Sequence, residues 1–152
     1  MSETRYLEPG WFTRNVFNRS VRRLTRMGIS VMGSRELRVR GRKSGEWRSS
    51  PVNLLSMDGG RYLVAPRGQT QWVRNLRAVG AGELRVGRRV EAFRGEELPD
   101  EVKIPVIREY LRRWKWEVGA FFPGLSAKSP DADIAAAANG FPVFRVLDAQ
   151  TI

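Results

Sequence analysis

Residues 37–51 have the sequence Leu37-Arg38-Val39-Arg40-Gly41-Arg42-Lys43-Ser44-Gly45-Glu46-Trp47-Arg48-Ser49-Ser50-Pro51. The first four of these residues alternate between apolar and basic side chains, which is the period of a strand with one buried face. Two glycines then bound a short loop, and a second strand is predicted from Trp47 to Met57. This strand, loop and strand predict an antiparallel pair at the start of a sheet.

The segments that follow continue the pattern of short strands and tight turns. Strands are predicted at residues 61–65, 83–86, 89–93 and 141–147, with turns at Asp58-Gly59-Gly60 and Gly87-Arg88. Helices are predicted at residues 71–79, from Asp100 as N-cap to 111, and at 132–138. This order favours a mainly β (α+β) fold, a closed or split β-barrel of about six antiparallel strands with flanking helices. A doubly wound parallel sheet is disfavoured, because it needs more crossover helices.

Composition limits the chemistry that the chain can perform. The 152 residues suit a single domain spanning 1–152, and they include no cysteine and no histidine. Thiol nucleophiles, Ser-His and Cys-His relays and the usual zinc sites are therefore excluded, and no metal site is predicted. If the chain is an enzyme, we expect a bound organic cofactor to carry the reaction.

The charge balance is strongly basic. Of the 27 basic residues 23 are arginine, and the formal net charge is +11. Such an excess suits anionic partners, which include nucleotide-like cofactors, acidic lipid headgroups and nucleic acid. The bias toward arginine also has a second explanation, which is genomic base composition. Because no nucleic-acid-binding motif is visible and the arginines form no single stripe, we expect no nucleic-acid partner.

The N-terminal part of the chain predicts an amphipathic helix over residues 11–29. Apolar residues there follow helical spacing, and arginines occupy the other faces. The first interpretation is a helix packed on the domain; the second is peripheral contact with an anionic membrane surface. The sequence has no membrane-spanning run and no signal peptide, so we expect a cytoplasmic protein, with membrane association as the alternative.

The loop from Gly41 to Gly45 has the composition of an anion-binding site. Its glycines permit a tight turn with exposed N–H groups, Arg42 and Lys43 supply positive charge, and Ser44 adds a hydroxyl group. An ordinary solvated hairpin loop is the alternative interpretation of this segment taken alone.

With the sequence around it, this loop resembles the deazaflavin-dependent nitroreductase family, a group of actinobacterial split β-barrel oxidoreductases related to FMN-binding barrels. The resemblance extends over about residues 37–98. It rests on the loop, on Arg48-Ser49-Ser50-Pro51-Val52, on the hairpin into Val64-Ala65, and on Trp72-Val73-Arg74-Asn75-Leu76 followed by a Gly-Glu-Leu-Arg-Val strand. It implies that coenzyme F-420, an 8-hydroxy-5-deazaflavin, is the cofactor, with FMN as the alternative.

The resemblance also implies roles for individual residues. The 42–44 loop matches the family's contact to the coenzyme phosphate, and Arg67 keeps the charge that meets its acidic tail. Pro66 replaces a small residue, which removes a side-chain hydrogen bond, and Val73 replaces a common tyrosine. The cofactor-binding residues predicted in this way are Arg42, Lys43, Ser44, Gly45, Arg48, Ser50, Pro51, Pro66, Arg67, Gly68, Trp72 and Asn75.

The leading functional hypothesis is an oxidoreductase that transfers hydride from the reduced deazaflavin to an apolar, electron-poor small molecule such as a quinone, with nitroaromatics as adventitious substrates. No catalytic residue is assigned; a proton could come from solvent, Tyr62 or Tyr110. Trp114, Trp116, Phe121 and Phe122 are core residues in one interpretation and an apolar substrate wall in another. The alternative function is a non-catalytic lipid- or fatty-acid-binding, or FMN-binding, member of the same fold. Either a monomer or a homodimer is compatible with the sequence.

Overall fold

A computed structural model describes residues 34–118 and 121–149, and for residues 115–118 it describes the backbone alone. The predicted helix at 11–29 lies outside these residues. The strands are β1 (Ser34–Arg40), β2 (Trp47–Met57), β3 (Gly60–Val64), β4 (Ala81–Val86), β5 (Arg89–Glu97) and β6 (Val143–Asp148). The α-helices are α1 (Gln71–Val79), α2 (Ile104–Val118) and α3 (Asp131–Ala137), and 3-10 turns occupy Asp100–Val102 and Ala138–Gly140.

The six strands form a closed antiparallel barrel in the order β1-β2-β3-β6-β5-β4, so the predicted barrel is confirmed. The β2–β3 connection is the expected tight turn, with positive φ at both Asp58 (49°) and Gly59 (77°). Pairing of Leu37 with Leu84 joins β1 to β4 and closes the barrel. This closure brings the 41–45 loop next to α1, which immediately precedes β4.

Two hydrophobic cores follow from the alternation of side chains along the strands. The barrel interior contains Leu37, Val39, Leu54, Leu63, Phe93 and Phe144, on which Val73 and Leu76 of α1 pack. The outer faces of β2, β3 and β6 contribute Leu55, Val64 and Val143 to a second core beneath α2. Among the described helices, none has both the length and the apolar character required to cross a bilayer.

Helix α2 begins later than the sequence predicts. Asp100 starts a 3-10 turn and is not the N-cap of α2, which begins at Ile104 with Pro105 in its first turn. The Asp100 carboxylate instead pairs with the ammonium group of Lys103 at 2.7 Å. Lys103 is only 3% exposed, so this pairing compensates for the burial of its charge.

Candidate functional site

The 41–45 loop is a compact turn closed by its own backbone. The Gly41 N–H donates to the Glu46 carbonyl at 2.8 Å, and the Gly45 N–H donates to the Gly41 carbonyl at 2.9 Å. Gly45 has a φ of 75°, which favours glycine, and a Cβ at Gly41 would lie 2.7 Å from the Ser44 Oγ. The Ser44 Oγ also accepts the Glu46 N–H at 3.1 Å. The backbone conformation of the loop therefore favours glycine at position 45, and a Cβ at position 41 would displace the Ser44 hydroxyl group.

A groove of about 600 Å³ lies between this loop, the first half of β2 and the first half of α1. This volume suits a cofactor-sized molecule. The groove is lined by Val39, Gly41, Arg42, Lys43, Ser44, Arg48, Ser49, Ser50, Gln71, Trp72 and Asn75. Three of the lining residues are cationic, and no carboxylate is found among the described residues that line it.

The structure brings seven of the twelve predicted residues together in the groove: Arg42, Lys43, Ser44, Arg48, Ser50, Trp72 and Asn75. Gly45 shapes the loop, and Pro51 lies further along β2, opposite Glu36 of β1. Neither lines the groove. Pro66, Arg67 and Gly68 form the turn between β3 and α1 and are also absent from its lining, with the Gly68 N–H bonded to the Ala65 carbonyl at 3.2 Å.

Helix α1 holds the loop through Arg42. The Oδ1 of Asn75 accepts the Arg42 backbone N–H at 3.0 Å and its Nη1 at 2.8 Å. The Oε1 of Gln71 accepts the same Nη1 at 3.0 Å. Sequence analysis missed Gln71, although its place at the first position of the predicted helix, one turn before Asn75, was a usable signal.

Trp72 provides an apolar boundary to the groove. Its ring is half-buried and packs against the barrel core, with its centroid 6.0 Å from that of Phe144 and the two planes inclined by 52°. Val39, also buried in that core, lines the groove from β1. The groove therefore combines cations, hydroxyl groups and an apolar surface, and these three features suit an aromatic molecule that carries a phosphate.

The aromatic residues near the C-terminal half of α2 lie elsewhere. Trp114 and Phe122 are buried in the second core, where both rings pack against Tyr110. Tyr62 belongs to the edge of the same core. Neither candidate tyrosine is found among the described residues that line the groove.

A known protein family matches most of the chain. A family model described as F420H(2)-dependent quinone reductase matches residues 11–116, which is more than half of the chain. No curated protein matches the chain.

Solved structures share the fold at low sequence identity. Protein Atu2129, of unknown function, from Agrobacterium tumefaciens is 14% identical with a TM-score of 0.54; the likeness covers 92% of this chain and 56% of that one. The chain thus spans little more than half of that protein's length. A structure described as a domain-swapped dimer is 17% identical with a TM-score of 0.54, covering 84% of this chain and 94% of that one. An F420-H2 dependent reductase, FDR-A, is 23% identical with a TM-score of 0.43, covering 75% and 93%.

Proposed function

The chain belongs to the F420H(2)-dependent quinone reductase family, and from this premise we propose that it reduces an apolar quinone with coenzyme F420 in the groove between the 41–45 loop and α1. Family membership makes coenzyme F420 the cofactor. The location is supported by the composition of the groove, in which three cations and several hydroxyl groups lie together, Trp72 adds an apolar side, and the described lining residues include no carboxylate.

Different residues of the groove suit different parts of the coenzyme. Arg42, Lys43 and Ser44 suit the phosphate, because a charge-assisted hydrogen bond to an anion is stronger than one between neutral groups. Trp72 offers the apolar surface beside which an aromatic ring can lie. Arg67 precedes Gln71 by four residues and is our candidate for the charge that meets the acidic tail.

The chemistry requires little of the protein beyond binding and orientation. When bound, the reduced coenzyme supplies a hydride, which together with one proton converts a quinone into a hydroquinone. Since no tyrosine is found in the described lining and the chain has no histidine, we assign the proton to solvent. Nitroaromatics would be adventitious acceptors of the same hydride.

The test is a titration of the purified chain with reduced coenzyme F420, followed by oxidation of the bound coenzyme with a soluble naphthoquinone. The double variant Arg42→Ala with Lys43→Ala removes two cationic contacts. At about 1.5–3 kcal/mol for each hydrogen bond to a charged group, affinity should fall about 100-fold or more. The melting temperature should change little, because both side chains are exposed.

The matched control is Arg88→Ala with Arg89→Ala. These two adjacent, exposed cations lie at the β4–β5 turn, outside the groove, and their removal changes the net charge by the same amount. The control should keep its affinity for the coenzyme. Equal losses in both double variants would assign binding to general charge and contradict the proposed site. Tight binding of FMN with no binding of the reduced deazaflavin would contradict the proposed reaction.

A further inference from the structure

Asn75 is the most buried polar residue of the groove, at 4% exposure, and its side-chain oxygen is already committed to Arg42. One oxygen accepts two N–H groups, from the backbone and from the guanidinium of the same residue. Residues 42 and 75 are 33 positions apart, so these bonds fasten the loop to α1. Asn75 lies between Val73 and Leu76, both fully buried against the barrel, and is therefore placed by a rigid element.

The two acceptors on α1 also determine how Arg42 presents its remaining donors. A guanidinium group has five N–H donors in one plane. Gln71 and Asn75 together take both hydrogens of Nη1, and in the described part of the chain no bond engages Nε or Nη2. Fixing Nη1 from two sides fixes the plane of the group. Three donors then remain, and two of them, one on Nε and one on Nη2, lie along the same edge, which is the arrangement that grips a phosphate with two parallel bonds.

We propose that Asn75 is a positioning residue, which acts on the coenzyme phosphate through Arg42 and makes no essential contact with the coenzyme itself. This inference rests on the proposed function of the groove. Without the Asn75 oxygen, the Arg42 side chain and the loop would have to be ordered when the phosphate binds, at a cost in conformational entropy. Gln71 assists on the exposed side, where it holds the guanidinium but not the backbone.

The first measurement is hydrogen exchange in the peptide that contains Arg42, in the full chain without coenzyme. Asn75→Leu keeps the approximate size of the side chain but removes the acceptor, so exchange of the Arg42 amide should become about tenfold faster or more. Asn75→Asp keeps an acceptor at the same place and should preserve the protection. Gln71→Ala is the matched control, since Gln71 does not touch that amide. Unchanged exchange in Asn75→Leu would contradict the proposal.

The second measurement is a double-mutant cycle on the dissociation constant for reduced coenzyme F420. Asn75→Leu alone should weaken binding about tenfold. In an Arg42→Ala background the same substitution should weaken it about threefold or less, because the guanidinium group through which Asn75 acts is gone and only the bond to the backbone N–H remains. A full tenfold loss in both backgrounds would mean that Asn75 contacts the coenzyme directly, which would overturn the proposal. Hydrogen exchange is measured without coenzyme and therefore tests the role of Asn75 independently of binding. Failure of the unsubstituted chain to bind the coenzyme would contradict the proposed function and not the exchange result.

Discussion

The packing of α1 against Gly95 of the barrel offers a direct test of how the site is supported. Gly95 lies on β5 beneath α1, and a Cβ at this position would lie 3.1 Å from Cγ, Cδ1 and Cδ2 of Leu76. Ordinary carbon contacts are about 3.5–4.0 Å, so one of the two elements must move by a few tenths of an ångström. Leu76 is fully buried, and protein interiors are packed closely enough that a buried side chain has few voids into which to move. The Gly95→Ala substitution should therefore strain the packing of α1 against β5.

The expected magnitude is the difference between two effects. Overpacking a core by one methyl group costs about 1–3 kcal/mol, while replacing glycine with alanine recovers about 0.4–1 kcal/mol by restricting the unfolded chain. The net loss in the free energy of unfolding should be about 1–2 kcal/mol. For a chain of this length that corresponds to a melting temperature lowered by about 2–8 °C. Urea unfolding followed by circular dichroism gives the free energy directly.

Removing the obstructing side chain supplies the decisive comparison. Leu76→Ala alone should cost about 2–5 kcal/mol, because it leaves a cavity between α1 and the barrel. In that background the methyl group of Gly95→Ala enters the vacated space, so the second substitution should be neutral or stabilising. An equal cost of Gly95→Ala in both backgrounds would refute this account of the packing. Helix α1 carries Trp72 and Asn75, so a displacement of α1 should weaken coenzyme binding. The Gly95→Ala variant should therefore bind the coenzyme more weakly than the double variant, although the double variant is the less stable of the two.

Two further predictions concern charged groups outside the groove. The guanidinium groups of Arg112 and Arg113 lower the pKa of Glu109 from 4.5 to about 2, so this pairing stabilises the fold above about pH 4.5 and is lost as the pH falls toward 2. The melting temperature of the Glu109→Gln variant should therefore fall less steeply between pH 4.5 and pH 2 than that of the unsubstituted chain. Parallel declines in the two proteins would contradict this prediction. Asp100→Asn removes the negative charge that faces the buried Lys103 ammonium, whose other described acceptor is the Ala138 carbonyl at 3.1 Å, and should lower the free energy of unfolding by about 1–2 kcal/mol in urea titration. Adding Lys103→Met should recover part of this loss, and a strictly additive double variant would count against the pairing.

Local sequence predicted the elements of this fold well, because each strand and turn has its own signature. The bounds of β2 and α1 are those expected, and the left-handed residues at the β2–β3 turn and at Gly80 are the glycine-type positions that such turns and helix ends need. The later start of α2 was missed, since the pairing of Asp100 with the buried Lys103 depends on packing that local capping preferences do not describe.

The groove was only partly predictable for a related reason. The composition of the 41–45 loop indicated an anion site, and the family resemblance added Arg48, Trp72 and Asn75 to it. Neither line of reasoning distinguished Asn75, which holds Arg42, from a residue that touches the ligand. The resemblance also included Pro51 and the turn at residues 66–68, which the structure leaves outside the lining.

The sequence by itself determined that strands alternate with tight turns, that no histidine or cysteine is available, and that one glycine-bounded loop is strongly cationic. Only the tertiary structure decided what that loop faces. Pairing of β1 with β4 closes the barrel and places α1 beside the loop, so that Arg42 shares three hydrogen bonds with residues 29 and 33 positions further along the chain. The physical reason is that barrel closure depends on the register of distant strands, and that register is fixed by the packing of the whole core.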